Sequence, residues 1–151
     1  MFYIKRLFVL LIIILIIGCE SNTEIPLPTN PLEKFAIPEA IFSLTITPNP
    51  ISSTSPTQSW TITESNAVGF DIEQIVLKTY DQNDNFIKEN SFTYGEIISL
   101  FESQYIPPSS TITGTKDNDI SEPSGYWINI TVSGIDDNQN EVSIEYVLNI
   151  E

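Results

Sequence analysis

Oxygen-bearing side chains crowd three short stretches of this sequence, and oxygen is the ligand that hard cations take. Asp81-Gln82-Asn83-Asp84-Asn85, Asp117-Asn118-Asp119 and Asp136-Asp137-Asn138 each place several carboxylate or amide oxygens close together. Calcium accepts about six to eight such oxygens, which makes Asp81, Asn83, Asp84 and Asn85 the candidate metal ligands. The same residue types also reverse chains, because Asp and Asn bond their own backbone and tolerate left-handed conformations. A structural turn is therefore the preferred reading of all three stretches. They would hold an ion jointly only if the loops converge at one end of the fold. Paired carboxylates also cut glycosidic bonds when they stand about 5–9 Å apart in a cleft, but no spacing here singles out such a pair.

Absent residue types narrow the chemistry further. The chain has no histidine, hence no imidazole base, no Ser/His/Asp triad and no histidine metal site. Its one cysteine is Cys19, so the rest of the chain forms neither a disulfide nor a Cys-rich zinc site. Acidic residues number 20 against 6 basic ones, for a formal net charge of −14. Beyond residue 18 the only cations are Lys34, Lys78, Lys88 and Lys116. Four scattered lysines make no footprint for phosphates, so nucleic acid is not an expected partner. With no catalytic motif in view, the chain is not expected to be an enzyme.

The N-terminus points to a membrane. Lys5 and Arg6 precede an unbroken apolar run from Leu7 to Ile17. The run is short of the roughly 20 apolar residues that span a bilayer as a helix, and it suits a signal peptide better. Ile16-Ile17-Gly18-Cys19 resembles the lipobox of bacterial lipoproteins. That resemblance implies cleavage of residues 1–18, a diacylglyceryl group on the Cys19 thiol and often an acyl chain on the new amine. A thiol serves there because its thiolate is the strong nucleophile among side chains. Two acyl chains anchor stably where one does not. Glu20 follows, and since aspartate at that place is the familiar inner-membrane retention signal, the resemblance favours the outer membrane.

Residues 19–39 then read as the acylated cysteine and a tether. Pro26, Pro28, Pro31 and Pro38 stand among Ser, Thr and Asn with no hydrophobic period. Extended at about 3 Å per residue, such a segment reaches on the order of 50 Å.

Residues 40–151 carry period-two alternation, the mark of strands with one buried face. Phe42, Leu44 and Ile46 alternate with Ser43, Thr45 and Thr47 before Pro48-Asn49-Pro50 ends the run. Trp60 and Ile62 repeat the pattern, and Phe70 to Tyr80 is longer, with a phase break near Glu73-Gln74 that suggests a bulge. The Asp81–Asn85 turn leads to a strand near Phe86 to Phe92, making a hairpin. Glu96 to Phe101 reads equally as one helical turn or a short strand, and Thr111 to Gly114 as a weak strand. Tyr126, Ile128, Ile130 and Val132, then Val142, Ile144, Tyr146, Leu148 and Ile150, form the closing hairpin through Asp136–Asn140. Asn129 and Thr131 face solvent on this reading, and Trp127 is the lone outward aromatic.

The expected fold is all-β: a single antiparallel β-sandwich of about seven strands, preceded by a signal helix and a Pro-rich linker. With Trp60 on its second strand and Gly125-Tyr126-Trp127-Ile128 opening the penultimate one, the domain resembles the immunoglobulin-like and fibronectin-type domains of bacterial surfaces. It departs from antibody domains in having no inter-sheet disulfide. Asp81-Gln82-Asn83-Asp84-Asn85 is similar to the calcium-binding linker of cadherins, although the acidic partner motifs of that family are missing. An EF-hand is excluded by Phe86 and Phe92 where glycine and glutamate belong. The expected role is a non-enzymatic, lipid-anchored structural or protein-interaction module of the cell envelope. The alternative is a carbohydrate- or calcium-dependent ligand-binding module at the cell surface.

Overall fold

A computed structural model describes residues 37–52, 54, 55, 57–117 and 121–151. The signal segment, Cys19, the tether as far as residue 36, and Asn118 and Asp119 of the second oxygen-rich stretch lie outside the described residues.

The described chain is mostly β, in two antiparallel sheets of eight strands with one short helix. The strands are β1 (Phe42–Thr47), β2 (Thr57–Glu64), β3 (Phe70–Tyr80), β4 (Phe86–Phe92), β5 (Tyr105–Ile106), β6 (Thr111–Asp117), β7 (Trp127–Asp136) and β8 (Glu141–Asn149). One sheet has the order β1-β2-β6, and the other β4-β3-β7-β8 with β5 also pairing β3. The strand beyond the expected seven is β5, two residues that pair Phe70 with Ile106 and Asp71 with Tyr105.

Alternation decides what faces the core. Phe42, Leu44 and Ile46 are buried from β1, Trp60 and Ile62 from β2, and Ile128, Ile130 and Val132 from β7. The two sheets meet through these side chains. Phe42 of β1 stacks on Phe70 of β3 with ring centroids 4.2 Å apart, and Trp60 of β2 lies 5.8 Å from Phe92 of β4. The phase break in β3 is a bulge: the register against β7 shifts between Ile72 and Gln74, so Phe70 and Ile72 before it and Ile75 after it all turn inward. Gly134 sits opposite Ile72. A Cβ there would strike the Asp71 carbonyl, so the bulge needs glycine across from it.

The undecided stretch is a helix, α1, over Tyr94–Phe101. Thr93 caps it, accepting from the Glu96 amide at 3.3 Å, while Glu96 Oε2 accepts from the Thr93 amide at 2.7 Å. This capping box satisfies donors that a helix start leaves free, and Glu102, in the left-handed region at φ 63°, ends the last turn. Ile97, Leu100 and Phe101 bury one face. The helix packs so close to β6 that a Cβ on Gly114 would overlap the Leu100 carbonyl.

The free edge of β8 is partly covered. Asn49, held between Pro48 and Pro50, donates from Nδ2 to the Val147 carbonyl at 2.9 Å and accepts from the Asn149 amide at 3.0 Å. Its amide thus substitutes for a neighbouring strand, one way of blunting an edge against pairing with other chains.

Candidate functional site

The oxygen-rich stretches at 81 and 136 are two copies of one turn. In Asp81-x-Asn83-x-Asn85 the Asp81 Oδ1 accepts from the amides of Asn83 at 2.8 Å and Asn85 at 2.9 Å, and Oδ2 accepts from Asn85 Nδ2 at 2.9 Å. In Asp136-x-Asn138-x-Asn140 the same three bonds recur at 2.8, 2.9 and 2.9 Å. The fourth residue of each is left-handed, Asp84 at φ 63° and Gln139 at φ 66°. Both Asp carboxylates are thus engaged by the turn's own N–H groups, and Asn85 directs its amide nitrogen, not its oxygen, at Asp81. Asp84 Oδ1 accepts from the Trp127 indole at 3.1 Å. Among the described residues no three acidic, Cys or His side chains group together as metal ligands.

The turns at 81 and 136 do not converge as joint binding would require. β3 starts at Phe70, opposite Asp136, and finishes at Tyr80, opposite Trp127. At about 3.3 Å per residue, this 11-residue strand puts the two turns roughly 30 Å apart, at opposite ends of the sheet.

The end bearing Asp136 receives the chain. Asp136 is buried, and its Oδ2 accepts a fourth hydrogen bond from the Ala40 amide at 3.0 Å. Asn138 Nδ2 donates to the Pro38 carbonyl at 2.7 Å, and Asn66 Nδ2 to the Glu39 carbonyl at 2.6 Å. Glu64, 1% exposed, lies at the same end and accepts from the amides of Asn66 at 2.6 Å and Ser109 at 2.7 Å. Burial alone would raise both acids. For Asp136 it is outweighed by Asn140, Ala40 and Asn138, and for Glu64 by the amides of Ser109, Asn66, Val68 and Ile41, so both carboxyls sit below their ordinary values. Tyr105 completes this end, donating to Asp137 Oδ2 at 3.1 Å. Desolvation and the adjoining carboxylate raise its phenol.

The opposite end carries an aromatic strip that strand pairing assembles. Tyr80 stacks on Trp127 at 4.3 Å and 13°, and meets Phe86 edge-on at 6.0 Å and 71°. Phe86 is 57% exposed, and Ile87 beside it is also exposed. Trp127 is therefore not a lone outward aromatic but one of three, fixed from its indole N–H by Asp84. Trp60 is in the core as expected, whereas Tyr146 is half-buried, its hydroxyl donating to the Ile46 carbonyl at 3.2 Å. Asn129 and Thr131 are half-buried rather than open to solvent, and the Asn129 Oδ1 is buried without a partner.

The clamp on Ala40 by Asp136, the buried Glu64 and the helix cap were not singled out in the sequence. The repeated Asp-x-Asn-x-Asn spacing and Thr93-x-x-Glu96 were the signals available for the first and third. A buried glutamate at the end of an alternating strand has no such signature.

No family model and no curated protein matches this chain. Among solved structures it is similar to the putative ApaA protein from Bordetella pertussis, at 14% identity over 76% of this chain and 97% of that one, with a TM-score of 0.46. It is also similar to a structural-genomics target at 13% identity over 74% of this chain and 86% of that one, with a TM-score of 0.48. The alkylpurine DNA glycosylase AlkC of Pseudomonas fluorescens is 14% identical over 74% of this chain and 30% of that one, with a TM-score of 0.34.

Proposed function

We propose that this chain is a bacterial lipoprotein of the cell envelope, anchored through lipid on Cys19, whose domain is a non-enzymatic structural or protein-interaction module. The lipobox-like Ile16-Ile17-Gly18-Cys19 supports the anchor, and Glu20 supports the outer membrane as its place. The orders β1-β2-β6 and β4-β3-β7-β8 support an immunoglobulin-like domain of the fibronectin kind, with strands A, B and E facing C′, C, F and G.

The observation that carries the reading is the polarity of the domain. The chain arrives at the end clamped by Asp136 and Asn138, and the exposed Phe86 with the half-buried Tyr80 and Trp127 lies at the other end. The end that receives the chain is thus not the end that carries the aromatic strip, which leaves the strip open to a partner. The non-enzymatic part rests on the sequence, which has no histidine and no catalytic motif.

The test is crosslinking from native cells with wild type, Cys19→Ala and a Phe86→Ser/Trp127→Ser double variant. A stoichiometric protein captured by wild type and lost with the double variant supports the reading. Membrane attachment that survives Cys19→Ala overturns the anchor, and equal capture by the double variant overturns the aromatic end as the contact.

A second reading, a glycan-binding module, is favoured by the same aromatics, since sugars pack on aromatic faces. Binding of the wild type to isolated envelope polysaccharide, lost in the double variant, would replace the first reading.

A further inference from the structure

Between the edges of β4 and β6 the two sheets part to leave a cleft of about 130 Å³. Its floor is apolar, made by Trp60, Leu77, Ile128 and Leu148. Its rim is charged, with Lys88, Lys116 and Glu122. Two of the four lysines beyond residue 18 thus border one concavity in a chain of strongly negative charge.

The polar groups of this cleft are unevenly satisfied. Lys88 pairs with Glu122, whose side chain is 12% exposed. Lys116 makes no ion pair among the described residues; its ammonium reaches the Asp117 carbonyl at 3.5 Å, and the Glu96 carboxylate acts on it from further off. Thr79 is 1% exposed and lines the cleft, and no described group hydrogen-bonds its hydroxyl. Gln58, also lining the cleft, is by contrast engaged, accepting from the Trp60 indole at 3.0 Å.

We propose that this cleft is a binding site for a carboxylate on a short apolar stem. The carboxylate takes the ammonium of Lys116 and the hydroxyl of Thr79, and the stem lies on Trp60, Leu77, Ile128 and Leu148. The volume equals about four waters at roughly 30 Å³ each, which admits an acid of two to four carbons. A phosphate would leave the apolar floor unused and bring a second negative charge against Glu122. The site is independent of the lipid anchor and of the aromatic end, and its failure leaves both untouched. Two sources share the chemistry: a free short-chain acid and the carboxyl terminus of a partner segment.

The full-length protein, ¹⁵N-labelled and held in a nonionic detergent, provides its own control because it has two tryptophans. Trp60 lines the cleft, and Trp127 lies on the outer aromatic strip. Titration with sodium propionate should move the Trp60 indole N–H resonance saturably and leave that of Trp127 in place, while sodium chloride at equal ionic strength moves neither. Lys116→Met and the near-isosteric Thr79→Val should each weaken binding about tenfold, the loss of one charge-assisted or neutral hydrogen bond. Lys116 is half-exposed, so its variant keeps the test open should Thr79→Val unfold.

A short peptide with a free carboxyl terminus, beside its amidated twin, separates the sources. Saturation by propionate assigns a free acid; saturation by the free-carboxyl peptide alone assigns a partner's terminus, and either supports the site. The proposal is overturned if no carboxylate moves Trp60 more than chloride does, if both tryptophans move together, or if both variants bind as wild type does.

Discussion

Asp81 and Asp136 hold the same five-residue turn at the two ends of one sheet, the first in solvent and the second buried with the Ala40 amide as an additional donor. The chemistry is shared and the surroundings differ. Asp136→Ala strands the buried Ala40 amide and frees the half-buried turn amides of Asn138 and Asn140, and should cost about 2–4 kcal/mol in urea unfolding. Asp81→Ala leaves its amides to water and should shift the midpoint far less. Equal losses would mean that burial of Asp136 and its hold on Ala40 contribute nothing.

The same two turns bear on calcium. Three of the roughly four lone-pair sites of the Asp81 carboxylate already accept N–H groups, which leaves little of it for an ion. Millimolar calcium should leave the thermal midpoint unchanged. A rise of several degrees that saturates with calcium would instead assign the ion to the native state.

Acid should unfold the domain through Glu64 and Asp136. Both are lowered in the fold, from ordinary values of 4.5 and 3.8. A carboxyl lowered on folding contributes stability that is whole above its unfolded pKa and is lost as pH falls through its folded one. Stability should therefore be flat from about pH 7 to 5.5 and fall below about pH 4.5. Glu64→Gln should be less stable at pH 7 and show a shallower fall. An unchanged slope in the variant would remove Glu64 from the acid transition.

Gly114 sets how closely α1 lies on β6. Gly114→Ala puts a methyl against the Leu100 carbonyl and should cost about 1–3 kcal/mol, as overpacking does. Loss of near-ultraviolet signal with β content retained would show the helix displaced and the sheets intact.

Much of the fold was legible because alternation is strict where a strand has one wet face. Phe42-x-Leu44-x-Ile46 and Ile128-x-Ile130-x-Val132 name their own buried sides, and the phase slip at Glu73-Gln74 is the observed bulge. β4 was placed by its turn alone, for Phe86 to Ser91 is exposed throughout and has no period to read. The helix could not be told from a short strand because eight residues hold little more than two turns; its capping box was the better sign. The aromatic strip was not legible because it depends on register. Trp127 is distant in sequence from Tyr80 and Phe86, and the three become neighbours only when Tyr80 pairs with both of the others. The cleft was hidden for the same reason, its lysines lying on β4 and β6 of different sheets.

The measurement that tests the central claim most directly is mass spectrometry of the mature N-terminal peptide released from the membranes of native cells. The account predicts a peptide beginning at Cys19 that carries a diacylglyceryl mass, found in the outer-membrane fraction and absent from a Cys19→Ala strain. An unmodified Cys19 within a peptide that still contains residues before it would contradict the lipid anchor.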